Sequence, residues 1–176
     1  GLNRPPGLLR DNFGFMHLKG FREAFWNDLR TQAKKEAKKS LQYRIIATDI
    51  KREAVEAARK NAATAGVEHM IEFSSCDYSE TTIPEGEGVV ILNPEYGERM
   101  GKIKELEGVY RGIGDFFKQR CKGFKGYLFT GNLDLAKKVG LKAKRRIPFF
   151  NGAIECRLLE YELYEGSRKN KNPQIT

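Results

Sequence analysis

Phe21, Phe25 and Leu29 recur every four residues in FREAFWNDLRTQAKKEAKK, with lysines filling the other positions toward the end. This spacing predicts an amphipathic helix from Phe21 to Lys39 whose basic C-terminal half suits its own dipole. The run YRIIAT, Tyr43 to Thr48, predicts a short buried strand ending on Asp49, and KREAVEAARKNAATAG predicts a helix that Gly66 stops. Alternation over Met70 to Ser75 predicts a second strand, and the turn residues from Pro84 to Gly88 lead into a third, buried strand, VVIL, Val89 to Leu92. Further on, Leu106, Val109, Tyr110, Ile113, Phe116 and Phe117 recur every three or four residues, which predicts a helix with a wide apolar face. Gly112 and Gly114 form a GxG inside that helix pattern and not after a strand, so they are not read as a phosphate loop.

GYLFTG predicts another strand ending at Gly131, and LDLAKKVG a short helix. The runs KRRIPFF and AIECRLLEYELY flank Asn151-Gly152, a strong local signal for a hairpin, so the last two strands are expected to be antiparallel. Within the final strand the apolar set shifts from Ile154, Cys156 and Leu158 to Leu159, Tyr161 and Leu163, which predicts a bulge near Leu158. Strands that alternate with helices require crossover connections. The expected architecture is therefore α/β, a mostly parallel sheet covered on both faces and finished by a C-terminal antiparallel hairpin. Ligands of such sheets bind at the carboxyl ends of the strands.

The chain has 176 residues, which makes one domain the expectation, and 40% hydrophobic content is enough for a core. Its 32 Lys and Arg against 23 Asp and Glu give a formal charge of +9, so the expected partner is a polyanion, with nucleic acid first. Basic residues gather at Lys34, Lys35, Lys38 and Lys39, at Lys142, Lys144, Arg145 and Arg146, and at Arg168, Lys169 and Lys171; most such runs are merely solvated faces, so each cluster alone is weak evidence. Cys76, Cys121 and Cys156 are odd in number and form no CxxC, and only His17 and His69 could join them as soft ligands. No disulfide framework or metal site is readable, which fits a reducing cytoplasm. The apolar run Val89 to Leu92 falls far short of the ~18 residues a membrane span needs, so no membrane partner is expected.

Three polar residues fall at predicted strand ends. Asp49 ends the first strand, Asp77 follows the second, and Asn93 ends the third. A carboxylate at the first position can accept from both ribose hydroxyls of a nucleoside, and one at the next strand end from an adenine amine. The alternative makes Asp49 the N-cap of its helix and Asp77 a turn residue. The run Asn93-Pro94-Glu95-Tyr96 is more specific. The amine of a nucleobase is a poor nucleophile because its lone pair is delocalised into the ring. A methylating enzyme must therefore hold the nitrogen by its hydrogens, and the Asn93 side-chain carbonyl and Pro94 backbone carbonyl can accept both while Tyr96 stacks on the base. Asn-Pro alone is commonly just a turn.

NPEYGERM, with DIKREAVEAARKNAATAGV upstream and FNGAIECRLLEYELYEG downstream, resembles the bacterial THUMP-associated RNA methyltransferases, the family that includes the large-subunit ribosomal RNA guanine methyltransferase. The likeness runs from PGLLRDNFGF to the last strand. It implies a Rossmann-like class I methyltransferase fold, S-adenosylmethionine as donor and the exocyclic amine of a guanine in ribosomal RNA as acceptor. By position, it implies that Asp49 binds the cofactor at its ribose and Asp77 at its adenine edge, with Ile50 a further cofactor-binding residue. Asn93, Pro94 and Tyr96 would hold the target amine and base, with Asn93 also bordering the cofactor. Glu98 and Arg99 would support that loop as a pair, or form no more than a surface ion pair.

The chain departs from the family pattern twice. Glu95 stands where the family usually has a second proline. The family's acidic-Pro-x-Cys-Gly-Ser-Gly-Thr turn, and the strand that leads into it, do not occur in the sequence. That strand normally lies between those ending at Asp49 and Asn93, so residues 1–176 are expected to be the C-terminal part of one methyltransferase domain, with the first motif and a THUMP domain upstream in a longer parent. Two other functions stay open: a DNA adenine amine methyltransferase, which would have to flip its base from a duplex, and a non-catalytic RNA-binding module.

Overall fold

The computed structural model describes residues 10–38, 40–97 and 100–164. The chain divides into two compact units, Gly1–Glu80 and Thr81–Thr176. In the first unit, α1 (Glu23–Glu36) is followed by β1 (Ile45–Asp49), α2 (Arg52–Thr64) and β2 (Ile71–Ser75). In the second, β3 (Val89–Leu92) leads to α3 (Met100–Arg120), β4 (Lys125–Thr130), α4 (Leu133–Lys137), β5 (Arg145–Asn151) and β6 (Ile154–Glu162). This is the α/β succession that the pattern predicts.

α1 is shorter than its apolar spacing implies. Arg22 has extended backbone and stands at the N-cap, and Ala37 is extended at the other end. Phe21 instead joins an aromatic cluster in which Phe15 lies 6.0 Å from Phe21 and 5.1 Å from Trp26, with Phe13 5.7 Å from Trp26. Phe13 and Met16 are half-buried there, and Phe15 remains exposed. α2 ends as expected. Gly66 takes φ +65, its N–H reaches the Ala63 carbonyl, and the Val67 N–H reaches the Ala62 carbonyl, a Schellman closure that a residue with a Cβ adopts only at a cost. β1 and β2 are parallel, with Ile45 opposite Ile71 and Asp49 opposite Ser75. α2 buries Val55 and Ala62 and places the Arg59 guanidinium 4.9 Å from the Phe73 ring of β2.

The second unit has a four-stranded sheet in the order β3-β4-β6-β5, with β3 parallel to β4 and β6 antiparallel to both of its neighbours. Most of the stripe on α3 is buried, with Leu106, Tyr110, Ile113, Phe116 and Phe117 in the core beside Leu128, Leu159 and Tyr161, while Val109 is exposed. Gly126 on β4 lets the Phe117 ring lie on the sheet, since a Cβ there would come within 3.2 Å of it. Among the described residues β1 pairs only with β2, and β3 only with β4. β3 is not the buried strand expected, since Val89 and Ile91 are exposed.

Two expectations for the hairpin are corrected. No bulge occurs near Leu158: the pairing of β6 runs without a slip from Ile154 opposite Asn151 to Glu160 opposite Arg145, and from Arg157 opposite Thr130 to Glu162 opposite Lys125. β6 is an interior strand, and Leu159, Glu160 and Tyr161 are all buried in succession. Both faces are covered at that point, so the shift in apolar pattern needs no change of register. The hairpin itself is present. Its two turn residues, however, are Gly152, at φ +62, and Ala153, while Asn151 still pairs with Ile154.

Candidate active site

The first group of expected site residues lies at the carboxyl end of β1 and β2. Asp49 is the last residue of β1, and its carbonyl accepts from the Cys76 N–H at 3.1 Å, which continues the strand pairing. Its carboxylate Oδ1 accepts from the Lys51 backbone N–H at 2.7 Å. Asp49 is therefore not the N-cap of α2. Lys51 holds that position, and Asp49 instead closes the turn that leads into the helix. The side chain is exposed, and its second oxygen takes no hydrogen bond among the described residues. Ile50, next along the chain, is 69% exposed. Asp77 is half-buried, and its Oδ1 accepts from the backbone N–H of Ser79 at 2.9 Å and from the Ser79 hydroxyl at 2.6 Å. It thus has the turn role of the alternative, again with one carboxylate oxygen left over.

The second group follows β3. Asn93 comes directly after Leu92, is exposed and makes no hydrogen bond among the described residues. Pro94 is half-buried and Glu95 exposed. Tyr96 is held at three points. The Asn151 side-chain amide donates to its hydroxyl at 3.0 Å, the Asn132 amide donates to its backbone carbonyl at 3.4 Å, and its ring lies against Gly131, where a Cβ would meet ring carbons at 3.0 Å. Gly97 then turns the chain at φ +42.

Behind Tyr96 the support runs into the core. Asn132 caps α4, its Oδ1 accepting from the Asp134 and Leu135 N–H groups at 3.1 and 3.0 Å, and its own N–H donates to the Thr130 hydroxyl at 3.1 Å. The Thr130 hydroxyl shares a hydrogen bond of 2.7 Å with that of Tyr110, and both residues are fully buried. Burial pushes the Tyr110 hydroxyl above its usual pKa, so it stays neutral and holds its place as a hydrogen-bonding group. A loop tied in this way presents Asn93 and Pro94 from a fixed base.

The structure thus gathers Asp49, Ile50 and Asp77 at one strand edge of the first unit, and Asn93, Pro94 and Tyr96 at one strand edge of the second. Glu98 and Arg99 lie outside the described residues. Gly131, Asn132 and Asn151 were missed as site residues. The only signals were an Asn right after a strand-ending Gly, and an Asn that also reads as a hairpin residue. Among the described residues no group of three or more His, Cys, Asp or Glu could hold a metal ion, and burial pushes the Cys121 thiol up to about 11. No helix of the described residues is long and apolar enough to cross a membrane.

An α/β succession with parallel strand pairs, a closing antiparallel hairpin and an Asn-Pro-x-Tyr loop at a strand end defines a class I methyltransferase fold. The chain belongs to the RMKL-like methyltransferase domain family, whose model matches residues 1–160. It is 36% identical over 173 residues to a ribosomal RNA large subunit methyltransferase K/L from Shewanella sp., covering 97% of this chain and 24% of that protein. The solved structure of a provisionally named methyltransferase complexed with SAH superposes with a TM-score of 0.82 at 28% identity, covering 94% of this chain and 44% of the other. That of a provisionally named N6-adenine-specific DNA methylase from Listeria monocytogenes gives 0.77 at 27%, covering 93% and 41%. The chain spans less than half the length of each.

Proposed function

We propose that the two units belong to one methyltransferase domain that uses S-adenosylmethionine to methylate the exocyclic amine of a guanine in ribosomal RNA, in the cytoplasm. The observation that best supports this is the Asn93–Tyr96 loop: Tyr96 is anchored by Asn132 and Asn151, while Asn93 is left exposed with no partner among the described residues. A side chain with unused hydrogen-bonding capacity on a rigid loop is suited to a ligand. The Asn93 Oδ1 and the Pro94 carbonyl accept the two amine hydrogens and aim the nitrogen lone pair, and Tyr96 stacks on the base. Positioning supplies the rate enhancement. No strong base is needed, because the amine becomes acidic once methylated and releases its proton to water.

The residues at the other strand edge fit the donor. Asp49 keeps one carboxylate oxygen for the paired ribose hydroxyls because its other oxygen is already fixed by the Lys51 N–H. The exposed Ile50 offers an apolar face to adenine, and Asp77 has an oxygen left for the adenine amine. When bound, S-adenosylmethionine supplies an electrophilic methyl group. Asp49→Asn keeps the turn acceptor and removes the charge, so it is expected to weaken S-adenosylmethionine binding by about tenfold or more while leaving the melting temperature unchanged. Calorimetric titration of the complete gene product carrying this sequence checks that result.

The similarity to a Shewanella ribosomal RNA methyltransferase supports ribosomal RNA as substrate, and the formal charge of +9 supports a polyanion. A second reading, methylation of an adenine amine in DNA, has the similarity to the Listeria adenine-specific DNA methylase in its favour, and the same loop would hold either amine. The test is transfer of labelled methyl by the complete gene product to unmodified large-subunit ribosomal RNA and to plasmid DNA. Label on the RNA is expected, whereas label on DNA alone would overturn the ribosomal assignment.

A further inference from the structure

The β5–β6 hairpin is longer than the strand beside it. β4 makes its last pair at Thr130, opposite Arg157, and Arg157 pairs with Pro148 on its other side. Phe149, Phe150 and Asn151, with Cys156, Glu155 and Ile154 opposite them, therefore continue past the end of β4, over about 10 Å at the usual rise per residue. The projection is tied to the target-amine loop, since Asn151 donates to the Tyr96 hydroxyl. It carries two phenylalanines on opposite faces. Phe149 shares the face of Asn151 and lies edge-on to Phe129 at 6.1 Å, and Phe150, on the other face, is 72% exposed with no ring contact among the described residues.

The charge on that second face has one sign to spare. Arg146, Pro148 and Phe150 alternate along β5, the outer strand of the sheet. Lys144 is paired with Glu162 and Arg145 with Glu160, and Arg157 opposite Pro148 is paired with Glu155, but Arg146 makes no ion pair among the described residues. An exposed ring in line with an unneutralised guanidinium matches an unpaired nucleotide, which offers a base face to the ring and a phosphate to the cation. A duplex offers neither ring face along its length, because its bases are stacked on one another.

We infer that Phe150, with Arg146, is a stacking platform for an unpaired nucleotide of the substrate strand, so that the substrate is a single-stranded or unstacked segment of RNA. This inference rests on the proposed methyltransferase function and specifies the substrate of that same site. The hydrogen bond from Asn151 joins the loop to the hairpin, and because Phe150 points to the opposite face from Asn151, the nucleotide it stacks is held on the far side of the hairpin from Tyr96.

The test is fluorescence anisotropy with a short labelled single-stranded RNA of mixed sequence and with the same strand in a blunt duplex, using the full chain. Phe150→Ala is expected to weaken single-strand binding by about tenfold, Phe150→Trp to retain it, and the duplex affinity to stay unchanged. Arg146→Gln is expected to weaken binding and to lower the salt dependence by about one ion, a change Phe150→Ala does not make. Circular dichroism melts should match the wild type for both, since neither side chain is buried. Equal affinity of wild type and Phe150→Ala for the single strand, equal losses for strand and duplex, or no single-strand binding by the wild type would each overturn the platform. Failure of the methyltransferase reading looks different: single-strand binding that depends on Phe150, with no methyl transferred by the complete gene product.

Discussion

Replacing Asn93 with alanine is expected to lower methyl transfer by the complete gene product at least about a hundredfold, with RNA binding and thermal stability unchanged. The side chain is exposed and without a hydrogen-bond partner among the described residues, so its removal leaves no buried group unsatisfied and opens no cavity. What it removes is one of two acceptors proposed to orient a weak nucleophile. Loss of a single well-placed polar group at a reacting centre costs about 3 kcal/mol of transition-state stabilisation, which is a factor of a hundred or more. The contrast with Tyr96→Ala separates orientation from support. That change also releases Asn132 and Asn151, so activity and melting temperature should fall together. Single-turnover rates with labelled S-adenosylmethionine measure the first effect. Undiminished turnover in Asn93→Ala would sink the assignment of the loop.

Much of the fold is legible in the sequence because its elements announce themselves locally. The spacing from Leu106 to Phe117 specifies a buried helix face, Gly66 ends α2, and the apolar runs at Val89 and Gly126 fall on paired parallel strands. The departures come from tertiary context. The apolar stripe that begins at Phe21 does not keep that residue in a helix, because the aromatic cluster around Trp26 recruits it. The change of apolar face in β6 imitates a bulge because the face that is buried changes along this interior strand, with Cys156 buried on one face and Leu159 and Tyr161 on the other, while the register stays continuous. Asn151-Gly152 marks the hairpin correctly and places its turn one residue too early, since the left-handed backbone belongs to Gly152 at the first turn position.

The candidate site divides in the same way. Asp49, Asp77 and Asn93 can be found from sequence because strand ends are recognisable and polar residues there are few. Sequence cannot show that Asp49 and Asp77 each spend one oxygen on a local turn and keep the other without a hydrogen bond among the described residues. Nor can it show what steadies Tyr96. Asn132 and Asn151 lie 36 and 55 residues away from it along the chain, and only the pairing of β4, β6 and β5 brings them to the loop.

Gly114→Ala is expected to destabilise the protein by about 2 kcal/mol or more, although it lies within a helix, where alanine is ordinarily the better residue. The intrinsic preference of a helix interior for Ala over Gly is about 1 kcal/mol. Against it stands a collision that side chains cannot relieve: a Cβ at Gly114 would sit 1.9 Å from the Val139 carbonyl oxygen and 2.9 Å from its carbon. Both are backbone atoms in the segment after α4, and Val139 itself is fully buried, so α3 and that segment must separate and open the core between them. Gly108 on the same helix is the internal control. Nothing lies within 4 Å of its added Cβ, so Gly108→Ala should gain about 0.5–1 kcal/mol. Urea denaturation of the two variants should therefore move the midpoint in opposite directions, and a gain in both would refute the close approach at Gly114. The displacement should also reach the loop, because α4 is capped by Asn132, whose amide holds the Tyr96 carbonyl. Gly114→Ala is then expected to reduce methyl transfer as well as stability, whereas Gly108→Ala changes stability alone.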